Sequence, residues 1–165
     1  MSLGIKRTRP RRVATKSIEG TLADLPGEFE TLFAWARRRN LRVGEPDMSG
    51  RNPLPWTAVV HSEADMEPDA VRHIDLWVPI EGSGPSQPGY LVKDIPHESV
   101  AFSIYKGPMT KFDEAIEQLF TWAAGKQLTF RGRLHRRIYL RGIDGPPEDP
   151  DWEAEIQIPL LLSRS

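Results

Sequence analysis

The sequence predicts an α+β fold made of tandem β-α-β-β repeats with pseudo-two-fold symmetry: an antiparallel sheet, two helices and a central cleft. Three observations predict it. Residues 151–161, DWEAEIQIPLL, alternate as a strand does, with Ile156, Ile158 and Leu160 on one face and Glu155 and Gln157 on the other. The same pattern occurs in HIDLWVPI, residues 73–80, where Asp75 matches Glu155, Trp77 matches Gln157 and Pro79 matches Pro159. Finally, a shift of 87 positions aligns Gly20 with Gly107, Glu30 with Glu117, Leu32 and Phe33 with Leu119 and Phe120, Trp35 and Ala36 with Trp122 and Ala123, and Leu41 with Leu128. Chance is a poor account of that ungapped run. Over the last strands the shift falls to 80, because the first half has the longer loop after its helix.

The elements follow in order. Val13 to Ile18 reads as a strand ended by Gly20. From Pro26 to Asn40 the apolar residues Phe29, Leu32, Phe33 and Ala36 recur at i, i+3, i+4 and i+7, one face of a helix. Asp24 is its expected N-cap, and Arg37, Arg38 and Arg39 lie where the helix dipole favours positive charge. A strand near Trp56 to His61, an acidic turn (Glu63, Asp65, Glu67, Asp69) and the strand ending at Ile80 complete the first unit. After a linker, Ser99 to Tyr105 opens the second unit. Thr110 and Asp113 form a capping-box pair ahead of a helix reaching about Gly125, with a stripe of Phe112, Ile116, Leu119, Phe120 and Ala123. Arg136 to Arg141 is the next strand, Asp144 to Asp151 a second acidic turn, and 151–161 the closing strand.

This divides the chain into a flexible basic tail (1–11) and a single domain (12–162) of two repeats, 12–80 and 98–162, joined by a Gly/Ser/Pro-rich linker at 81–97. A length of 165 residues suffices to bury a core, and 39% hydrophobic residues with mixed charges describe a globular chain. There is no cysteine, which excludes disulfides, thiolate nucleophiles and zinc–thiolate sites. No apolar run is long enough for a membrane span and no secretory signal is visible, so the expected location is the cytoplasm. Lys6, Arg7, Arg9, Arg11 and Arg12 fall within the first twelve residues; setting them aside leaves 17 basic against 23 acidic residues, a body that favours cationic partners.

At this point the residues carry a family resemblance. SIYKGPMTKFDEAIEQLFTWAAGKQL, followed by RRIYLRG and DWEAEIQIPLL, resembles the GyrI-like small-molecule-binding domain, the effector-binding domain of bacterial multidrug-responsive and AraC-type regulators. RRVATKSIEGTLADLPGEFETLFAWARRRNL resembles that family's first repeat, and the likeness covers roughly residues 11 to 162. It implies a tandem α+β fold that binds lipophilic, often cationic, compounds in a central cleft containing a glutamate, for which Glu155 is the match. Gly20-Thr21 stands where Gly-Pro is usual, and Pro96-His97-Glu98 where Pro-Gly-Gly is frequent. No helix-turn-helix segment accompanies the domain, so a stand-alone form is expected.

The residues support similar chemistry. An acid among aromatic rings is costly to keep ionised and so gains affinity for protons or organic cations, and aromatic faces add cation–π attraction. The candidate ligand-binding residues are Glu155, Asp75, Gln157, Trp77, Trp35, Trp122, Tyr90 and Tyr139. Core packing is the alternative role for each aromatic, and Tyr139 could equally face the core. Taken alone, the acidic face of the last strand is better read as a solvated edge, and it is the repetition of the pattern in 73–80 that favours a site. His61, His73, His97 and His135 lack metal-ligand spacing, and there is no phosphate loop, nucleophile elbow or HExxH, so neither metal nor cofactor is expected. Binding of hydrophobic, cationic small molecules for sensing or sequestration is the first functional expectation. The second is a GyrI-like hydrolase that opens cyclopropane rings of alkylating compounds, with Glu155 and Asp75 as its acids. A transcription-regulatory module contacting a regulatory protein or DNA gyrase ranks last, with no membrane partner and no direct DNA binding expected.

Overall fold

The computed structural model describes residues 2–43, 51–61, 70–82, 84, 86–132, 134–141 and 148–161. Its elements are β1 (Ser2–Arg7), β2 (Arg11–Gly20), α1 (Leu25–Arg38), β3 (Arg42–Val43), β4 (Arg51–His61), β5 (Arg72–Glu81), β6 (Leu91–Ile95), β7 (Ser99–Lys106), α2 (Phe112–Gly125), β8 (Leu134–Arg141) and β9 (Glu153–Pro159). The strands form one antiparallel sheet in the order β1-β7-β9-β8-β4-β5-β2-β6, with β3 added against β5. Read outward from the β4/β8 junction, each half repeats the same order. The pseudo-two-fold therefore passes between β4 and β8.

Register locates it. Thr57 faces Trp77 on β5 as Arg136 faces Gln157 on β9, and Val59 faces Asp75 as Ile138 faces Glu155. Across the junction Thr57 pairs with Ile138 and Val59 with Arg136, so the pair Ala58–Arg137 lies on the axis. Alternation then sorts the strands into two faces. One carries Ala14, Ala58, Val60, Ile74, Leu76, Val78, Ala154, Ile156 and Ile158, all at or near zero exposure, and both helices pack on it. The opposite face carries Glu155, Gln157, Arg136, Val59, Thr57, Asp75 and Trp77.

Both helices end alike. Asn40 and Gln127 have φ of 58° and 59°, and the N–H groups of Leu41 and Leu128 reach back to the carbonyls of Ala36 and Ala123 at 3.1 and 3.2 Å. This is the Schellman closure, in which a left-handed residue lets the chain satisfy terminal carbonyls. At the N-termini Asp24 holds the expected N-cap position of α1 without a side-chain cap bond to it, and the cap of α2 is Lys111. The acid of Asp24 accepts the Thr21 N–H at 2.9 Å, within a short 3-10 turn at Leu22–Asp24, and a second such turn at Met109–Lys111 precedes α2, so neither Thr110 nor Asp113 forms the expected box. The buried stripes also differ by one residue. Trp35 is 3% exposed and belongs to the stripe of α1, whereas Phe33 and Phe120 are only partly buried beside it.

Two segments expected to be irregular are strands. The tail expected as flexible over 1–11 forms β1, paired with β7 from Ser2↔Ile104 to Arg7↔Ser99, and Arg11 already belongs to β2. An open sheet edge offers a row of free N–H and C=O groups, and the first residues satisfy them. Similarly, β6 lies inside the segment expected as a linker and covers β2. The acidic turn at Glu63 to Asp69 and residues 144–147 of the second lie outside the described residues.

The face assignment is testable by stability. Ile156→Ala, on the helix face of β9, should cost about 2–5 kcal/mol, as for a large core side chain cut to Ala. Ile104→Ala, 40% exposed on the other face of β7, should change stability by no more than about 0.5 kcal/mol. Urea unfolding of the two variants measures both, and similar losses would show that the faces are misassigned.

Candidate functional site

The face opposite the helices is built from cross-strand rows. One row runs Gly4, Phe102, Gln157, Arg136, Val59, Asp75, Ser17, and the next runs Ile104, Glu155, Ile138, Thr57, Trp77, Thr15. The two-fold exchanges these rows. Thr15, Thr57, Val59, Arg136 and Gln157 are buried here although the helices lie on the other side, so surrounding side chains cover the middle of the face, a strip that lies recessed below them.

At one end of the strip stands Glu155, whose side chain is 12% exposed. Lys6 of β1 places its ammonium 2.9 and 2.8 Å from the two carboxylate oxygens and 4.6 Å from the Phe102 ring centroid. Gly4 makes this possible. A Cβ there would come within 2.9 Å of the Phe102 ring, so only a glycine lets the ring lie across β1 beside the lysine. Gln157 donates from Nε2 to Glu155 at 2.6 Å, a consequence of the i, i+2 spacing along β9.

In the middle, Trp77 lies between two guanidiniums, Arg11 at 5.1 Å and Arg136 at 4.9 Å from the ring. Arg136 also donates to Glu98 at 2.7 Å, and Arg131 reaches the same carboxylate at 3.2 Å. Burial, and then the nearby Arg136, push the pKa of Arg11 below its ordinary value. Gln157 Oε1, Glu98 Oε1 and Arg136 Nε and Nη1 are buried with no hydrogen-bond partner among the described residues. Each such group costs about 1–3 kcal/mol when left unpaired.

At the other end, Asp75 accepts a hydrogen bond from Ser17 and lies 3.2 Å from Nε2 of both His61 and His73. Burial alone would raise the pKa of Asp75; the bonds from Ser17 and His61 and the charge of the two histidines outweigh it and hold the carboxyl below its usual range. The histidines, twelve residues apart in sequence, become neighbours because β4 and β5 are joined as a hairpin. Linear spacing carries no sign of this.

The eight sequence candidates thus separate. Glu155, Gln157, Trp77 and Asp75 share the recessed face. Trp35, Tyr90, Trp122 and Tyr139 lie on the helix side: Trp35 stacks on Tyr90 at 5.0 Å, Tyr139 is wedged between Phe29 and Trp152, and Trp122 packs on the second core. Candidates the sequence missed are Lys6, Arg11, Phe102, Glu98 and Arg136. Phe102 and Arg136 lie in segments expected as strands, where no motif singles them out; Lys6 and Arg11 come from the segment assigned to the tail and its boundary, and Glu98 adjoins the linker.

A family model for the GyrI-like small molecule binding domain matches residues 1–161. The chain belongs to this family. Among solved structures the GyrI-like chain is similar to the C-terminal domain of EcmrR, at TM-score 0.77 and 15% identity over 97% of each chain. It is also similar to a hydrolase encoded by lin2189 from Listeria innocua (TM-score 0.67, 11% identity, 96% of this chain and 91% of that one). A third similar structure is SAV2435 bound to tetraphenylphosphonium (TM-score 0.55, 13% identity, 98% and 94%). At these identities the likeness concerns the fold. No curated protein matches the sequence. Among the described residues, no helix is long and apolar enough to cross a membrane.

On the helix face, close to the axis, Arg137 donates from Nε to His135 Nε2 at 3.0 Å, which requires that nitrogen to be unprotonated. Burial first, then the charges of Arg137 and Arg72, lower the pKa of His135 well below its ordinary value. The unfolded chain takes up a proton near pH 6.5 that the folded chain refuses, so this stabilisation is complete above that pH and lost as pH falls through it. The loss amounts to about 1.4 kcal/mol per pH unit. Denaturant titrations at pH 7 and 5.5 should show that slope reduced by one proton in His135→Gln, whose amide oxygen can still accept from Arg137. An unchanged slope would mean that His135 titrates normally in the folded protein.

Proposed function

We propose that this GyrI-like domain binds hydrophobic organic cations on the recessed face, with Glu155 as the counter-charge and Phe102, Trp77 and Gln157 as its surroundings. The observation that carries the reading is the seat of Lys6. Its ammonium rests on a mostly buried carboxylate and an aromatic ring at once, and that pair of contacts is what a lipophilic cation requires. An organic cation would take the place of the lysine. The lysine returns to water easily, since its side chain is 39% exposed. The similar fold of a protein bound to tetraphenylphosphonium supplies a probe. Such a module would act as a sensor or a sequestering protein, and a regulatory partner would read the response.

A hydrolytic reading, with Asp75 and Glu155 acting together, has less support. Their strands are separated by β4 and β8, about 14 Å of lateral distance at ordinary strand spacing. Each acid is already engaged, one by Lys6 and the other by Ser17 and two histidines.

Glu155→Gln removes the charge and keeps the volume, so stability should change by no more than about 1 kcal/mol. Binding of tetraphenylphosphonium, followed by calorimetry, should weaken by about 1–3 kcal/mol, while neutral triphenylphosphine oxide should lose far less. Lys6→Met, by contrast, should tighten binding of the cation several-fold by removing an internal competitor. Equal losses for both ligands in Glu155→Gln would point to a deformed face, and no effect of either substitution would remove Glu155 from the site.

A further inference from the structure

We propose that His61, His73 and Asp75 form a binding site for a divalent transition-metal ion at the β2 side of the recessed face. The backbone brings the three together. His73 and Asp75 stand at i and i+2 on β5 and so project from one face, and His61 follows Val60, which pairs with Ile74, so that its ring lies 4.9 Å from that of His73. One ligand atom from each residue falls within 4.8 Å of the other two. Both Nε2 atoms are already 3.2 Å from Asp75 oxygens. Ligands held about 2.0–2.2 Å from a tetrahedral ion are separated by about 3.3–3.5 Å, so an ion needs only a small adjustment of the side chains.

The neighbouring strand supplies the outer partners. On β2, Glu19 pairs across from His73 and Ser17 across from Asp75. Glu19 Oε1 lies 3.0 Å from His73 Nδ1, and Ser17 Oγ bonds Asp75 Oδ1. A carboxylate on the far nitrogen of a histidine puts the proton on Nδ1 and leaves the Nε2 lone pair for the metal, the arrangement that orients metal-bound histidines. The hydrogen bond to Asp75 leaves its second oxygen, Oδ2, beside His61. Two imidazoles with one carboxylate suit zinc, nickel, copper or iron(II) rather than magnesium or calcium, which prefer oxygen ligands. Histidines bind a metal ion in the neutral form, so with the charges of Asp75 and Glu19 the ligand surroundings would carry a net −2, matched to a divalent cation. Side-chain exposures of 39%, 43% and 28% for His61, His73 and Asp75 leave the ion a path from solvent. Three protein ligands would also leave a coordination position for water or a donor atom.

This site stands apart from the organic-cation reading, which uses Glu155 at the other end of the face, and either can fail alone. The test uses the full chain free of any histidine tag, dialysed against ZnCl2 and, separately, NiCl2, with bound metal measured by mass spectrometry and affinity by calorimetry. One ion per chain is expected, in the presence of excess Mg2+. His61→Ala and His73→Ala should each weaken binding at least about tenfold, and Glu19→Gln, which touches only the outer nitrogen of His73, by about 10- to 100-fold without changing the stoichiometry. His97→Ala, at a histidine that meets Arg7 on β1, should bind as the parent does. Metal-free melting temperatures should be alike, since these side chains are partly exposed. Absence of binding by the parent chain overturns the proposal. So does undiminished binding by the His61→Ala, His73→Ala double variant, which would place the metal on other carboxylates.

Discussion

The pairing of β4 with β8 is the constraint on which the other features depend. Each β-α-β-β unit can bury one side of its strands under one helix, yet each also presents an unpaired edge at its innermost strand. Joining those two edges in antiparallel register satisfies both at once. Because Ala58 meets Arg137 on the axis, every equivalent pair of residues then falls into place. A slip of one residue would turn Ile156 and Ile158 outward and Glu155 inward. The recessed face therefore inherits its residues from the register at the axis.

The two halves have diverged where the symmetry does not require them to agree. Helix ends and buried stripes coincide almost residue for residue, down to the left-handed Asn40 and Gln127. On the recessed face, however, Asp75 is met by serine and histidine and Glu155 by lysine and glutamine. The same backbone position thus holds an acid in two different chemical surroundings. The packed face tolerates little change in volume, whereas the other tolerates any side chain whose polar atoms find a partner. Polar side chains do enter the packed side: Arg137, 4% exposed, is held by Phe112 at 4.8 Å, by Asp113 and by the equally buried His135. The burial of Arg137 across the axis from Ala58 shows where the two copies cease to be interchangeable.

Outer strands complete the sheet by exchange. β6 covers one edge next to β2, and β1 covers the other next to β7; Arg12↔Asp94 and Ser99↔Arg7 are equivalent under the 87-residue shift, so each outer strand comes from just ahead of one repeat and pairs with the other. Of the two, β1 brings Lys6 onto Glu155, and the chain that closes the sheet also neutralises the acid at its recessed end. Closure of an edge and the ion pair to Glu155 are thereby the task of one short strand.

Much of this was legible in the sequence. Period-two alternation in 73–80 and 151–161, the helical periodicity of the apolar stripes and the 87-residue repeat determined six strands, the two helices, the symmetry and the face that carries Glu155 and Asp75, because periodicity reports which side chains share a side. Tertiary structure alone decided the rest. Lys6 reaches Glu155 across 149 positions of sequence, and Glu98 meets Arg136 across 38; such contacts depend on which strands become neighbours, and local pattern is silent on that. The charge of the first residues suggested a solvated tail, but backbone hydrogen bonding at a sheet edge does not depend on charge. Trp35, Tyr90 and Tyr139 were ambiguous for a related reason: an aromatic ring serves a core and a binding face equally well, and only the packing of α1 on the sheet puts Trp35 and Tyr139 inside and Tyr90 against them on the same side. His61 and His73 acquire a common neighbour through the register of a hairpin, a geometric fact that no linear spacing encodes.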